Sequence, residues 1–448
     1  MTIRLTLLEL RRTWLPWLVA AMLFASWTMT SDGMDPRWPG LVNATVLGHR
    51  AALALLWPLA LTIGVWIGRR DGAAGTAELV DVTPRRPRSR LALRAALLGT
   101  GLAAVYLAAL AETIGLAVLD ADTYWPSGWP WSLLTGALGI AAAGLLGLAL
   151  GRRLPSLWTV PLTLVLSSAL IFALEIVTRD RRAGALALLP SYLPDDGTAG
   201  EFLRISAATV AGQTIWFVAL GAAGFLFYAL PSRHRPAALL PGAAVLAAGL
   251  AGALLVLPPA ARATTVDAGA TALVCAEGTP RVCVTRAYEK TLPELTGPAR
   301  EALAALSRLP DAPSALIQDE HAFGVKTIQD PATVRVRLTV DGTGALVTGG
   351  PTLVEDLLDG AGTLRCEDYT TQRADTRQRA ARAVAAFWLL HRTEPPPSYM
   401  DDERVATAQA WDALHALPEA EQVTRVVALR EAGLQCRADL FEILTGAA

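Results

Sequence analysis

The chain is poor in charge, in lysine and in asparagine. Only 18% of its 448 residues are Asp, Glu, Lys or Arg, against about 25% in an ordinary soluble domain. Two lysines (Lys290 and Lys326) and one asparagine (Asn43) occur in the whole sequence. This composition argues against a purely soluble enzyme and against a disordered chain. The net charge of −1 leaves no basic excess for a nucleic-acid partner. No G-x-x-x-x-G-K-[ST], H-E-x-x-H or G-x-S-x-G is present, so the chain has no phosphate-binding loop and no common hydrolase signature. No C-x-x-C and no close His pair is present either, and no metal site is expected. The composition is rich in Ala, Leu and Arg, which fits a high-GC bacterial genome, where the Asn43-Ala44-Thr45 sequon has no meaning.

What the chain has in abundance is apolar sequence: 53% hydrophobic residues and a mean hydropathy of +0.38. It is unevenly spread. Residues 1–261 carry 20 basic and 14 acidic side chains and 11 of the 13 tryptophans. Residues 262–448 carry 19 basic and 26 acidic side chains and all four cysteines. The fold class expected is an α-helical polytopic membrane domain, 1–261, followed by a mixed α/β extracytoplasmic domain, 262–448. The second part is long enough to bury a core of its own.

A bilayer-spanning helix needs about 20 apolar residues. Seven stretches qualify: 13–29, 51–68, 95–119, 131–150, 156–177, 205–230 and 238–258. With the N-terminus inside, the cytoplasmic segments hold 14 arginines and the short outside loops 6, the cluster Arg179, Arg181 and Arg182 among the latter. The positive-inside bias therefore favours a cytoplasmic N-terminus, and seven spans then put 262–448 outside. The first stretch has no convincing small-x-small cleavage site, so it reads as an anchor rather than a signal peptide.

The loop between the second and third stretches carries the most information. It contains Asp71, Gly75, Thr76, Glu78, Leu79, Thr83 and Pro84, followed by basic residues to Arg94. Residues 76–82 suit a short helix that Pro84 would stop. On composition alone this is also what a positive-inside loop with an incidental helix looks like.

An acidic residue, a Gly-Thr, a Glu-Leu pair and a Thr-Pro ahead of a basic stretch resemble the first cytoplasmic loop of the type 2 ABC exporter permeases. Residues 5–12 resemble the amphipathic elbow helix of that family, which lies along the inner membrane surface. The resemblance covers about residues 1–230. It implies that the loop holds the coupling helix that docks on a partner ATPase. It also implies two permease halves per transporter, two copies or a copy and a homologue, and that ATP and Mg are used by the partner while this chain binds no cofactor. Two features depart from the family pattern: Asp71 stands where Glu is common, and Val80 where a second Leu is common. A seventh span and a large external domain lie outside the minimal plan.

Two carboxylates fall inside expected spans, Glu112 and Glu175. An intramembrane carboxylate is a functional candidate by default; the plain alternative is pairing with a hydroxyl on a neighbouring helix, or, for Glu175, reaching outward to the interface. The four cysteines suit disulfides outside the cytoplasm. Strands over 272–277 and 281–285, around Gly278-Thr279-Pro280, set Cys275 opposite Cys283 and leave Cys366 and Cys436 for a second bridge. Further strands are expected at 314–318, 333–340 and 345–348, and helices at 298–309, 375–391, 401–417 and 419–432. Asp319, Glu320 and His321 read as a solvated loop. The function expected is a plasma-membrane permease subunit, not itself an enzyme, that exports a hydrophobic or amphipathic substrate. The alternatives are a membrane-anchored receptor or immunity protein and, with the least support, a membrane-anchored enzyme.

Overall fold

The computed structural model describes residues 24, 38–73, 87–178, 188–189, 200–230, 239–259, 262–321, 329–348, 352–365, 372–398, 400–437 and 439–446. The chain divides into two compact units, residues 1–196 with 203–267, and residues 197–202 with 268–448.

The first unit is helical: α1 (Val42–Ala51), α2 (Leu53–Ala73), α3 (Pro87–Leu119), α4 (Trp129–Arg153), α5 (Thr159–Thr178), α6 (Ala207–Ala229) and α7 (Leu240–Val256). In a bilayer only a helix or a closed barrel satisfies every backbone polar group internally, so long apolar runs fold this way. The segments Leu53–Arg70, Leu91–Leu119, Trp129–Arg153 and Ala207–Ala229 are long and apolar enough to cross a membrane; Thr159–Leu174 and Leu240–Val256 are apolar but shorter. The protein is a multi-pass membrane protein. The expected span 13–29 lies outside the described residues apart from Phe24; among the described residues there are four long apolar helices and two shorter ones, which account for the other six expected stretches. Helix α1 was not expected, because His49 and Arg50 interrupt its hydropathy.

Glycine sets the closest helix contact. A Cβ added at Gly64 would fall 2.1 Å from the Gly144 carbonyl oxygen. At Gly147 it would fall 2.0 Å from the Leu61 oxygen, and at Gly151 2.0 Å from the Val65 oxygen. Gly64-x-x-x-Gly68 on α2 and Gly147-x-x-x-Gly151 on α4 thus form a small-x-x-x-small seam, where backbones meet directly and van der Waals packing holds the helices. The partners rise together along both helices, so α2 and α4 run parallel. Helix α6 runs the same way: Phe217 lies over Gly139, Leu146 over Gly224, and Arg152 donates to the Tyr228 carbonyl at 2.7 Å. Helix α3 runs opposite, with Tyr106 over Gly136 and Leu102 over Gly144. Arg69, Arg70, Arg152 and Arg153 therefore gather at one end of the bundle. There Arg152 and Arg153 bond the last carbonyls of α6, and Arg69 stacks on Trp66 at 5.3 Å.

At the other end β1 (Leu203–Ile205) pairs antiparallel with β2 (Thr264–Val266). This pairing keeps the chain in the first unit to Asp267, beyond the composition break at 261. Residues 197–202 belong instead to the second unit. There Tyr288 donates to Glu201 at 2.9 Å and its ring meets Phe202 at 6.0 Å. Burial, with the Glu201 charge and hydrogen bond adding, pushes the Tyr288 phenol well above its ordinary range.

The second unit is mixed α/β. Strands β3 (Leu273–Cys275), β4 (Arg281–Thr285), β5 (Ala315–Gln318) and β6 (Thr333–Val336) form one sheet in that order, with β3 antiparallel and β4, β5 and β6 parallel. Helix α8 (Leu292–Leu306) connects β4 to β5, as a parallel pair requires. Val282, Val284, Leu316 and Val334 of the sheet and Leu295, Leu303 and Leu306 of α8 are buried. The chain ends in helices α9 (Leu353–Leu358), α10 (Gln372–Leu389), α11 (Asp401–His415), α12 (Glu419–Leu434) and α13 (Leu440–Thr445). Helix α8 starts earlier than the expected 298 because a proline opens its first turn, and it continues through Pro298. The expected strand 345–348 is reduced to one bridge, Val340 with Leu346.

Cys275 stands opposite Cys283 in the β3–β4 register, and the two are disulfide-bonded with Cα atoms 4.0 Å apart. The neighbouring Ala276 amide donates to the Val282 carbonyl, which makes the cysteines a non-hydrogen-bonded pair, where side chains lie closest. Cys436 is disulfide-bonded too; Cys366, the partner expected for it, lies outside the described residues. Cys275→Ser with Cys283→Ser is expected to lower the stability of this unit by about 2.5 kcal/mol, the chain-entropy value for so short a loop. Urea unfolding of the full chain, followed by the near-ultraviolet signal, measures it. An unchanged midpoint would mean that the hairpin turn holds the register unaided.

Candidate functional site

The expected site residues fall in three places. Gly75, Thr76, Glu78, Leu79, Thr83 and Pro84 lie outside the described residues; the backbone of Asp71 lies in the last turn of α2. Glu175 lies on α5, where only its backbone is described. Glu112 lies on α3, exposed, and among the described residues it makes no hydrogen bond or ion pair.

A polar layer that the sequence did not announce crosses the first unit near the end opposite Arg152. Arg50, at the end of α1, is 1% exposed. It donates to the Gln213 side-chain oxygen on α6 and, at 3.4 Å, to the Ser132 carbonyl on α4. Among the described residues no carboxylate bonds to it. The His49 ring bonds the Thr113 hydroxyl at 3.2 Å, and Thr135 and Thr214 share a hydrogen bond at 3.0 Å between α4 and α6. The Arg50 Nε, His49 Nδ1 and Tyr106 hydroxyl are buried with no partner among the described residues. Gly136 leaves room for that hydroxyl, since a Cβ there would lie 2.6 Å from it. A guanidinium held by neutral acceptors inside an apolar bundle is costly. It marks this layer, rather than Glu112, as the polar centre of the described bundle. Arg50 was missed because charge counting along the sequence treats it as one more loop arginine.

Outward of this layer, Asn43 donates to Asp267 at 3.2 Å, Tyr124 donates to the same carboxylate at 3.2 Å, and Trp38 donates to Asp120 at 2.9 Å. These bonds tie α1, the α3–α4 loop and the strand β2 end together. Ser206 caps α6 by accepting from the Thr209 amide at 3.2 Å, which fixes where that helix begins.

In the second unit Asp319 follows β5 at the carboxyl end of the parallel strands, where ligands bind in open α/β sheets. Its side chain is 0% exposed and meets the His321 ring at Nδ1 (3.1 Å) and two guanidinium groups, Arg335 at 3.4 Å and Arg337 at 3.2 Å. The expected solvated loop is corrected at Asp319, because Arg335 on β6 and Arg337 just after it close over the carboxylate and bury it, while Glu320 and His321 stay partly exposed. Among the described residues no group of three or more His, Cys, Asp or Glu could hold a metal ion. A second knot of charge fixes the turn after α9. Arg382, 2% exposed, bonds Asp359 at 2.8 Å and the Thr363 hydroxyl at 3.3 Å. Burial pushes the Asp359 carboxyl up, but the charges and hydrogen bonds of Arg382 and Arg365 outweigh it and hold the carboxyl below its ordinary range. Arg430 donates to the Gly362 and Pro331 carbonyls at 3.2 and 3.0 Å, and its burial brings its pKa down to about 10. These arginines hold backbone and have a structural role.

No family model, curated protein or solved structure matches the chain.

Proposed function

We propose that the chain is the membrane-spanning permease subunit of an ABC transporter of the type 2 exporter class. It pairs with a separate ATPase and a second permease half and moves a hydrophobic or amphipathic substrate outward across the plasma membrane. The observation that carries this reading is the segment 74–86. It joins α2 to α3 at the bundle end that holds Arg69, Arg70, Arg152 and Arg153, and its sequence resembles that of a coupling loop. The arginine-rich end is cytoplasmic by the positive-inside rule. Seven spans, with 13–29 as the first, then leave the disulfide-bonded second unit outside the cytoplasm, which suits its cysteines.

Nucleotide closes an ATPase dimer, and a short stiff helix seated on it transmits that motion to the spans. Leu79, Val80 and Val82 supply an apolar contact face, with Glu78 and Asp81 at its edges. Helix α2 meets α4 backbone to backbone along the glycine seam, so a push on the loop moves two helices together.

The test is a pull-down of the full chain from membranes in mild detergent, compared with the double variant Glu78→Arg, Leu79→Asp. A stoichiometric ATPase that the variant loses, with membrane insertion intact, is the expected result. An ATPase that the variant retains removes this loop from the interface. No ATPase with either chain overturns the permease reading in favour of a receptor or immunity protein.

A further inference from the structure

A groove of about 600 Å³ runs between the first turns of α4 and α6. Its walls are Trp131, Leu134, Leu138 and Val210, and Arg204 and Ser127 stand at its mouth. Two observations say what fills it. The first is depth. Arg204 and Ser127 lie just before the starts of α6 and α4, outside the apolar segments Ala207–Ala229 and Trp129–Arg153, where a bilayer crossed by those helices would place its headgroups. Leu138 lies nine residues into α4, about 13 Å further along the helix axis and so within the hydrocarbon. Trp131 and Leu134 are 67% and 46% exposed beside it, so the groove opens sideways toward the bilayer. The second observation is charge. Arg204 has one partner among the described residues, the neutral Ser127 hydroxyl at 2.6 Å, and no carboxylate meets it. A guanidinium at headgroup depth with donors to spare, above an apolar slot, complements a phosphate joined to an acyl chain.

We infer that this groove binds an anionic phospholipid, with the headgroup phosphate on Arg204 and Ser127 and one acyl chain along Trp131, Leu134 and Leu138. The lipid comes from the leaflet at the bundle end opposite Arg69 and Arg152. The inference rests on the four long apolar helices and not on the transporter reading, so it stands or falls separately from the ATPase pull-down.

The experiment is native mass spectrometry of the full chain released from detergent, titrated with phosphatidylglycerol or phosphatidylcholine of the same acyl chains. The wild-type protein is expected to bind phosphatidylglycerol at one site about fivefold more tightly, the effect of one arginine against an anionic lipid. Arg204→Gln is expected to abolish the preference, leaving both lipids bound with equal affinity through the acyl-chain slot. Ala211→Trp, which fills the groove from an exposed position, is expected to remove one bound lipid of either kind. Equal binding of both lipids by the wild type means annular lipid only and overturns the inference. A preference that survives Arg204→Gln overturns it too. So does displacement of the bound lipid by millimolar glycerol phosphate, which would make the occupant a free anion.

Discussion

Gly147→Ile is expected to abolish stable folding of the helical unit. The substituted side chain would begin 2.0 Å from the Leu61 carbonyl oxygen and 2.9 Å from the Val65 amide nitrogen, both backbone atoms that no rotamer change can move aside. Overpacking a core usually costs about 1–3 kcal/mol, and here relief requires separating α2 from α4 along the whole glycine seam. The loss is therefore expected to exceed about 3 kcal/mol, seen as aggregation or a collapsed melting temperature when the full chain is run on fluorescence-detected size exclusion. Gly101→Ile is the matched control. It adds the same side chain to an apolar helix at a position where nothing lies within 4 Å, so it should melt with the wild type. If Gly147→Ile and Gly101→Ile melt together, the two helices do not meet as described. Gly64→Ile should reproduce the effect of Gly147→Ile from the other side, at 2.1 Å from the Gly144 oxygen.

Asp319→Ala is expected to destabilise the disulfide-bonded unit by about 3 kcal/mol, the lower end of the cost of breaking a buried ion pair. The carboxylate is fully buried and the Arg337 side chain is only 8% exposed, so removing Asp319 strips a negative charge from a guanidinium that water hardly reaches. Arg335 and His321 are 33% and 35% exposed and can hydrate, which keeps the loss from being larger. Asp319→Asn retains the shape and one acceptor oxygen and is expected to lose less. His321→Ala removes a half-exposed partner and should stay within about 1 kcal/mol, as for a surface pair. Chemical unfolding of the full chain, read by the loss of the disulfide unit's near-ultraviolet signal, ranks the three. An Asp319→Ala protein that unfolds at the wild-type midpoint would argue that the cluster is held for function rather than stability.

These two sites also divide what can be read along the chain from what cannot. Membrane spanning is legible because it depends on the composition of one segment at a time. Four of the expected stretches are long apolar helices in the structure, and two more hold shorter ones. The Cys275–Cys283 bridge is legible for a similar reason, since a hairpin of a few residues fixes its register locally. The α/β character of 262–448 follows from strand and helix patterns, although Pro298 misplaced the start of α8 and the strand at 345–348 proved to be a single bridge.

The polar chemistry was decided by tertiary structure alone. Arg50 is a loop arginine by count and a buried cation by structure, because α1 folds against α4 and α6 and sets it against Gln213, 163 residues away. Asp319 looks solvated beside Glu320 and His321, yet β6 arrives in parallel and places two arginines over it. Gly64 and Gly147 are unremarkable small residues in apolar runs until the two helices touch. Hydropathy and local turn chemistry are sums over neighbours in sequence, and they determined that this chain enters a membrane, where it does so, and which cysteines close its hairpin. Burial, charge pairing and backbone contact depend on residues tens to hundreds of positions apart. Only the packing of α1 against α4 and α6, of α2 on α4 and of β6 on β5 could decide which charged side chains are buried and which residues hold the fold.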